Sequence, residues 1–412
     1  MVSKESDLYL KKRMKASIIK LAVSLALLAA AGLQSVFAAQ ASSTTVLYDQ
    51  TLNDKGEYAD IVVNKTPCQY TAEGLKITGN EDLIRLNRYY SLGERLIRYH
   101  VKFSADAVAQ FRSDTGDFCV MVDVPNQNLS IQTQPVTSRK ADFLTPEHEY
   151  LLEITHHYQT GTASLSDLMT GDTVEIQAVN NGGGGVGKGT VTTPFFVGSQ
   201  HDYYCFGLSK GSELLVKQIT VLSQESDLTL LIYGDSITEP DGYFPTADYP
   251  KAWTELIMSH VKGKSMASGR GGITIYEVLN RIKNELPYVH AKYVMVTIGT
   301  NGGNNEENLS QLVEYILSQG SIPILNNIPS NEHGTQIPVN EQIEKIRQKY
   351  NIKGCRFDIP TSLAFDGKEV DKSTMWFENY TNGWGDYYHH PNVKGSRLMY
   401  LRTLLDVPEI YE

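Results

Sequence analysis

The hydrophobic pattern changes its period once, at the polar stretch Ser223-Gln-Glu-Ser-Asp227, and that change divides the chain into two kinds of sequence. Between about Thr44 and Ser223, short β-branched and aromatic segments follow one another without helical spacing: Arg95–Phe103, Phe118–Val124, Tyr150–His156, Thr173–Gln177 and Leu214–Val221. Turn residues such as Thr170-Gly171-Asp172 separate them. Repeated short strands of this kind predict an all-β sandwich, a jelly roll. Beyond Asp227 the pattern alternates. Continuous apolar strands at Leu228–Tyr233, Lys292–Ile298, Ile322–Asn326 and Cys355–Ile359 stand among helical segments at Tyr249–Val261, Ile273–Leu286, Glu306–Gln319, Pro338–Tyr350 and Asn392–Leu405. Strands apolar on both faces and separated by helices predict a three-layer α/β domain with a parallel sheet. A chain of 412 residues is long enough for both, which gives an accessory sandwich over 42–225 and an α/β domain over 226–412.

Ahead of both lies a basic start (Lys4, Lys11, Lys12, Arg13, Lys15, Lys20), then an apolar run from Leu21 to Ala31 and small-residue sites at Val36-Phe-Ala38 and Ala39-Gln-Ala41. This is the layout of a secretory signal peptide over 1–38, and the run is shorter than the ~20 apolar residues a spanning helix needs. The expected location is secreted or periplasmic, with no stable membrane insertion after cleavage. The leader is basic while the whole chain carries −10, so the remainder is more acidic still, which argues against nucleic acid as a partner. Cys68, Cys119, Cys205 and Cys355 match no disulfide framework or metal motif. The run Gly182–Thr190 contains a near match to a phosphate-binding loop, but Gly189 stands where a hydroxyl residue must follow the lysine, and a strand-like segment follows in place of a helix. It reads as a surface loop. The adjacent His156-His157 reads as a strand pair with one side chain on each face.

In a parallel sheet the active groups gather at the carboxyl ends of strands. Directly after the first such strand stands Gly234-Asp235-Ser236-Ile237-Thr238, a turn able to expose a serine hydroxyl and the backbone N–H groups that would face an oxyanion. Ser268-Gly-Arg-Gly-Gly-Ile-Thr274 follows the next strand, Ile298-Gly-Thr-Asn301 ends the third, and Asp386-Tyr-Tyr-His-His-Pro-Asn-Val-Lys-Gly395 precedes the last helix. Four blocks in this order resemble the SGNH/GDSL hydrolases, over about the last 185 residues, and so imply a flavodoxin-like fold. The N-terminal strands, with the late turn Phe206-Gly-Leu208 before a final strand, resemble concanavalin-type and laminin-G-type sandwiches in layout.

The SGNH/GDSL resemblance implies Ser236 as nucleophile and an oxyanion site made of the Ser236 N–H, the Gly272 N–H and the Asn301 side chain, with Gly269 as the second choice of backbone donor. Gly302 stands where the family usually has Asp. Histidine and carboxylate are needed together, the first to take the serine proton and the second to orient it. Literal Asp-x-x-His spacing from Asp386 picks His389 as base; the His-Pro-Asn-x-x-Gly register picks His390, with Asn392 capping the final helix. His390 is preferred, Asp386 is its expected partner, and a Ser–His dyad is the alternative. No metal or organic cofactor is expected.

An export signal, an appended sandwich and this hydrolase type together suggest a carbohydrate esterase that removes acetyl groups from a poly- or oligosaccharide. Tyr243, Phe244, Trp376, Trp384, Tyr387 and Tyr388 are candidates for a sugar-stacking wall, or for core packing. A lipase, thioesterase or peptidoglycan-modifying esterase would use the same catalytic set, and an inactive carbohydrate-binding protein is the reading from another class.

Overall fold

The computed structural model describes residues 44–90, 95–113, 119–132, 136–156, 160–179, 204–239, 248–375 and 388–412. The expected leader, the Gly182–Thr190 run, Asp386 and the aromatics Tyr243, Phe244, Trp376, Trp384 and Tyr387 lie outside these residues.

The N-terminal half holds β1 (Thr45–Thr51), β2 (Ile61–Val62), β3 (Cys68–Thr71), β4 (Gly74–Ile77), β5 (Ile84–Leu86), β6 (Arg95–Phe103), β7 (Val108–Arg112) and β8 (Cys119–Asp123). These are followed by β9 (Asn128–Ile131), β10 (Thr137–Lys140), β11 (Tyr150–His156), β12 (Thr160–Asp167), β13 (Thr173–Val179), β14 (Tyr204–Lys210) and β15 (Leu214–Ser223). They form two antiparallel sheets. One has the order β13-β12-β11-β6-β15-β4-β3 with β1 also on β15, and the other β10-β9-β8-β7-β14-β5-β2. Strict alternation along β6 turns Ile97, Tyr99, Val101 and Phe103 inward. Tyr99 meets Phe111 and Phe206 of the other sheet with ring centroids 4.8 and 5.6 Å apart, so the two sheets pack face to face.

The second half runs β16 (Leu228–Gly234), α1 (Trp253–Met258), β17 (Ser265–Gly269), α2 (Ile275–Val289), β18 (Ala291–Thr297), α3 (Glu306–Ser318), β19 (Ile322–Leu325), α4 (Gln336–Tyr350), α5 (Lys372–Met375) and α6 (Val393–Asp406). The four strands form a parallel sheet in the order β17-β16-β18-β19. Their apolar side chains are buried on both faces, as unbroken apolar runs require. The last expected strand, Cys355–Ile359, is a departure. It touches the sheet edge only through single bridges, Ile324 to Lys353 and Asn327 to Arg356. The Cys355 N–H donates to the Asn326 side chain at 2.8 Å, so a side-chain oxygen takes the place of a ladder carbonyl and the strand does not propagate.

Architecture changes between β15 and β16, yet packing continues across the change. Thr45–Glu412 is one compact unit, with buried apolar residues contiguous from the antiparallel sheets to α2 and β16. Polar contacts cross as well. Arg95 of β6 reaches Glu285 of α2 at 3.2 Å, both side chains almost wholly buried, and also bonds Ser223 Oγ. The Tyr233 hydroxyl donates to the other Glu285 oxygen at 2.7 Å, and Asn284 Nδ2 donates to the Tyr89 carbonyl at 3.0 Å.

Candidate active site

Register places the site. In the parallel sheet Gly234 lies opposite Gly269 on one side and Thr297 on the other, so the loops that follow β16, β17 and β18 leave one edge side by side. Because β16 has its successors on opposite flanks, this edge is also the switch point of the sheet, where such folds open a crevice. Ser236 therefore stands between the Arg270–Thr274 turn and the Gly299–Gly303 turn.

The Ser236 turn is tightly held. Asp235 Oδ1 accepts the Ile237 N–H at 3.0 Å, the Asp235 carbonyl accepts the N–H groups of Thr238 and Glu239, and buried Trp253 donates Nε1–H to the Ile237 carbonyl at 2.8 Å. Burial raises the Asp235 carboxyl to about 6, against the lowering effect of N–H groups aimed at it. The Ser236 N–H takes no acceptor among the described residues.

His390 comes to Ser236 from the far end of the chain, Nε2 lying 2.8 Å from Oγ with both residues buried. What fixes it is the start of α6. Asn392 accepts the Gly395 N–H at 3.0 Å as helix cap, donates Nδ2–H to the Ser373 carbonyl at 2.9 Å, and donates its own N–H to the Thr374 carbonyl at 3.0 Å. Burial, and after it the neighbouring His389, pushes the His390 imidazole well below its ordinary range, which keeps it neutral and able to accept a proton. His389 points elsewhere: its Nδ1 lies 2.9 Å from Glu332 Oε1, and its ring tilts against that of His390 with centroids 4.3 Å apart. Thus the structure brings His390, and not His389, to the serine. Asp386 lies outside the described residues.

The Gly271–Gly272 turn and Asn301 also converge. Asn301 Nδ2 donates to the Ile273 carbonyl at 2.9 Å, which sets the amide beside Gly272 and leaves its second N–H for another acceptor. This bond orients the amide although Gly302, the next residue, offers no carboxylate. Gly302 itself has φ +90°, a backbone that a side-chain-bearing residue rarely adopts. The Gly272 N–H, like that of Ser236, has no acceptor among the described residues. Gly269 is placed differently. A Cβ there would lie 2.3 Å from the Thr238 carbonyl carbon and 2.4 Å from the Glu239 nitrogen, so this glycine allows two backbones to touch.

Three charged residues at the site escaped the reading of sequence. Arg270 and Glu239 form a buried pair at 3.3 Å, and Glu332 holds His389. A signal for the first pair existed: opposite charges stand in two glycine-containing turns that follow neighbouring strands. Of the aromatics expected near the site, only Tyr388 is described, and Lys372 Nζ lies 4.5 Å from its ring centre. Among the described residues no group of His, Cys, Asp and Glu could hold a metal ion, and no helix is long and apolar enough to cross a membrane.

No protein-family model matches the chain, and no curated protein sequence matches it. Among solved structures it is similar to a GDSL-like lipase from Bacteroides thetaiotaomicron, at 15% identity and TM-score 0.33, covering 43% of this chain and 85% of that one. It is similar also to Axe2, an acetylxylan esterase from Geobacillus stearothermophilus, at 18% identity and TM-score 0.34, over 45% and 95% of the two chains. A third likeness is to the exoplasmic/lumenal domain of VIP36, at 11% identity and TM-score 0.31, over 43% and 90%.

Proposed function

We propose that residues 226–412 are an ester hydrolase of the SGNH/GDSL type, working through an acyl-serine intermediate. The observation that carries this reading is the 2.8 Å contact between His390 Nε2 and Ser236 Oγ at the switch point of a parallel sheet. Neutral His390 takes the hydroxyl proton as Oγ attacks the ester carbonyl. The N–H groups of Ser236 and Gly272 and the Asn301 amide receive the negative charge on the carbonyl oxygen. The imidazolium then returns its proton to the leaving alcohol, and water, activated by the same imidazole, releases the acid. Asp386 is the proposed orienting carboxylate, with a Ser–His dyad as its alternative.

For substrate we propose an acetylated poly- or oligosaccharide, acted on outside the cytoplasm. This rests on the secretory leader read in the sequence and on the antiparallel sheets joined to the hydrolase half. The test is labelling with a fluorophosphonate, with the adduct mapped by mass spectrometry, beside hydrolysis of acetylated xylooligosaccharides and of short- and long-chain p-nitrophenyl esters. Labelling at Ser236 and acetate release are expected. A wild-type protein that neither labels nor hydrolyses any of these esters refutes the reading; faster turnover of long acyl chains than of acetyl refutes the substrate.

A further inference from the structure

Glu239 and Arg270 are charged residues with almost no solvent contact, 3% and 1% exposed, in the two turns that carry Ser236 and Gly272. Burying a pair of opposite charges costs several kcal/mol per ion before their attraction is counted, so such a pair is weak as a source of stability alone. What this one does is visible in its second contact. The Glu239 oxygen not facing Arg270 accepts the N–H of Gly271, the residue before the expected oxyanion donor. The remainder of the turn is fixed in the same manner. Gly269 lies against the backbone of Thr238 and Glu239, and the Arg270 N–H donates to the Gly234 carbonyl at 3.1 Å. Three consecutive residues are thus tied to the nucleophile turn, and the next N–H along the chain, that of Gly272, is left without an acceptor among the described residues.

We propose that Glu239, held by Arg270, is the positioning residue of the oxyanion site: its carboxylate fixes the Gly271–Gly272 peptide so that the Gly272 N–H faces the charge developing on the ester oxygen. In this proposal Glu239 acts through Gly271 and takes no part in the proton transfer between Ser236 and His390. The proposal rests on the ester-hydrolase reading above and deepens it.

The experiment uses the full chain and two variants, Glu239→Leu and Glu239→Gln, assayed on p-nitrophenyl acetate with active sites counted by fluorophosphonate. Leu removes both the charge and the acceptor, whereas Gln keeps an acceptor for the Gly271 N–H. Glu239→Leu is expected to lose on the order of 10²-fold in kcat per labelled site, the scale of a lost oxyanion donor, with KM nearly unchanged. A phenylboronic acid, which becomes tetrahedral on Ser236, should weaken in proportion to kcat. The pH at which kcat/KM falls on the acid side should not move, because His390 is untouched. Glu239→Gln should recover at least tenfold of the loss. A kcat per labelled site that stays at the wild-type value in Glu239→Leu overturns the proposal, as does a boronate affinity that stays constant while kcat falls. If Glu239→Leu does not fold, Glu239→Met, which likewise offers the Gly271 N–H no acceptor, replaces it with the same expectations and the same refuting results. Wild-type hydrolysis that survives Ser236→Ala would instead remove the ester-hydrolase reading itself, and this proposal with it.

Discussion

Replacing Arg95 with Met tests how far the two halves depend on one another. Arg95 sits on β6, and its partner Glu285 sits on α2. Both side chains are inaccessible to water, and Tyr233 of β16 shares the carboxylate. Removing the guanidinium breaks a buried ion pair, an event that costs about 3–5 kcal/mol in general. For a cooperative unit spanning Thr45–Glu412, at about 1.3 °C per kcal/mol, the expected fall in Tm is roughly 4–7 °C. The fall should be seen in the second half as well as the first. All three tryptophans, Trp253, Trp376 and Trp384, follow Asp227, so tryptophan fluorescence reports that half, while far-UV circular dichroism reports the many strands of the other. Arg95→Met with Glu285→Leu removes both charges and is expected to regain most of the loss, since a buried pair exchanged for apolar groups is often neutral. If Arg95→Met lowers the Tm by less than 2 °C, or shifts the circular dichroism transition but not the fluorescence, the pair does not couple the halves. Independent folding of 226–412 would then be the correct description.

Three further outcomes are expected. His390→Ala should reduce turnover of an acetyl ester by several decades, close to the loss in Ser236→Ala, because members of one catalytic unit are not additive; His389→Ala should lose about tenfold, on the order of 1.4 kcal/mol in barrier. The reverse ranking, in variants shown to be folded, would restore the literal Asp-x-x-His spacing. The acid limb of kcat/KM should lie below the ordinary imidazole range, since the base form of His390 persists as pH falls; a limb at or above pH 6.5 would contradict its burial. Asp235, raised to about 6 by burial against an unfolded value near 3.8, stabilises the fold fully below pH 3.8 and loses that contribution as pH rises through 6. Relative to Asp235→Asn, wild-type stability measured by urea unfolding should therefore drop by about 2 kcal/mol between those pH values and by about 3 kcal/mol in all, and a flat difference would refute the shift.

How much of this was legible beforehand depended on whether a feature leaves a local pattern. Strands β16, β18 and β19 were readable as unbroken apolar runs, and the final helix as a capped one, because burial and capping each act within a few residues. The Cys355–Ile359 segment has the composition of a strand. Its pairing was decided by Asn326, whose side chain competes for the Cys355 N–H, and no periodicity records such a choice. The histidine pair shows the same limit in reverse. Spacing along the chain gave two answers, and the cap at Asn392, which is a statement about geometry, separated them. Arg270 and Glu239 are 31 residues apart and meet only because β16 and β17 are neighbours in register. A pair of that kind becomes visible once the sheet order is known.

The connection between β15 and β16 has a bearing on chimeras. It is four residues long, and its ends are already engaged: Ser223 Oγ donates to the Glu225 carbonyl, Ser226 is buried, and the Asp227 N–H bonds the Val289 carbonyl at the end of α2. A junction cut there would behave as a strut removed from a frame, since no slack is left to absorb a new sequence. A transplant of residues 226–412 onto another domain should therefore carry its own substitute for Arg95 and for the Tyr89 carbonyl. Fusions placed ahead of Thr45 leave those contacts whole.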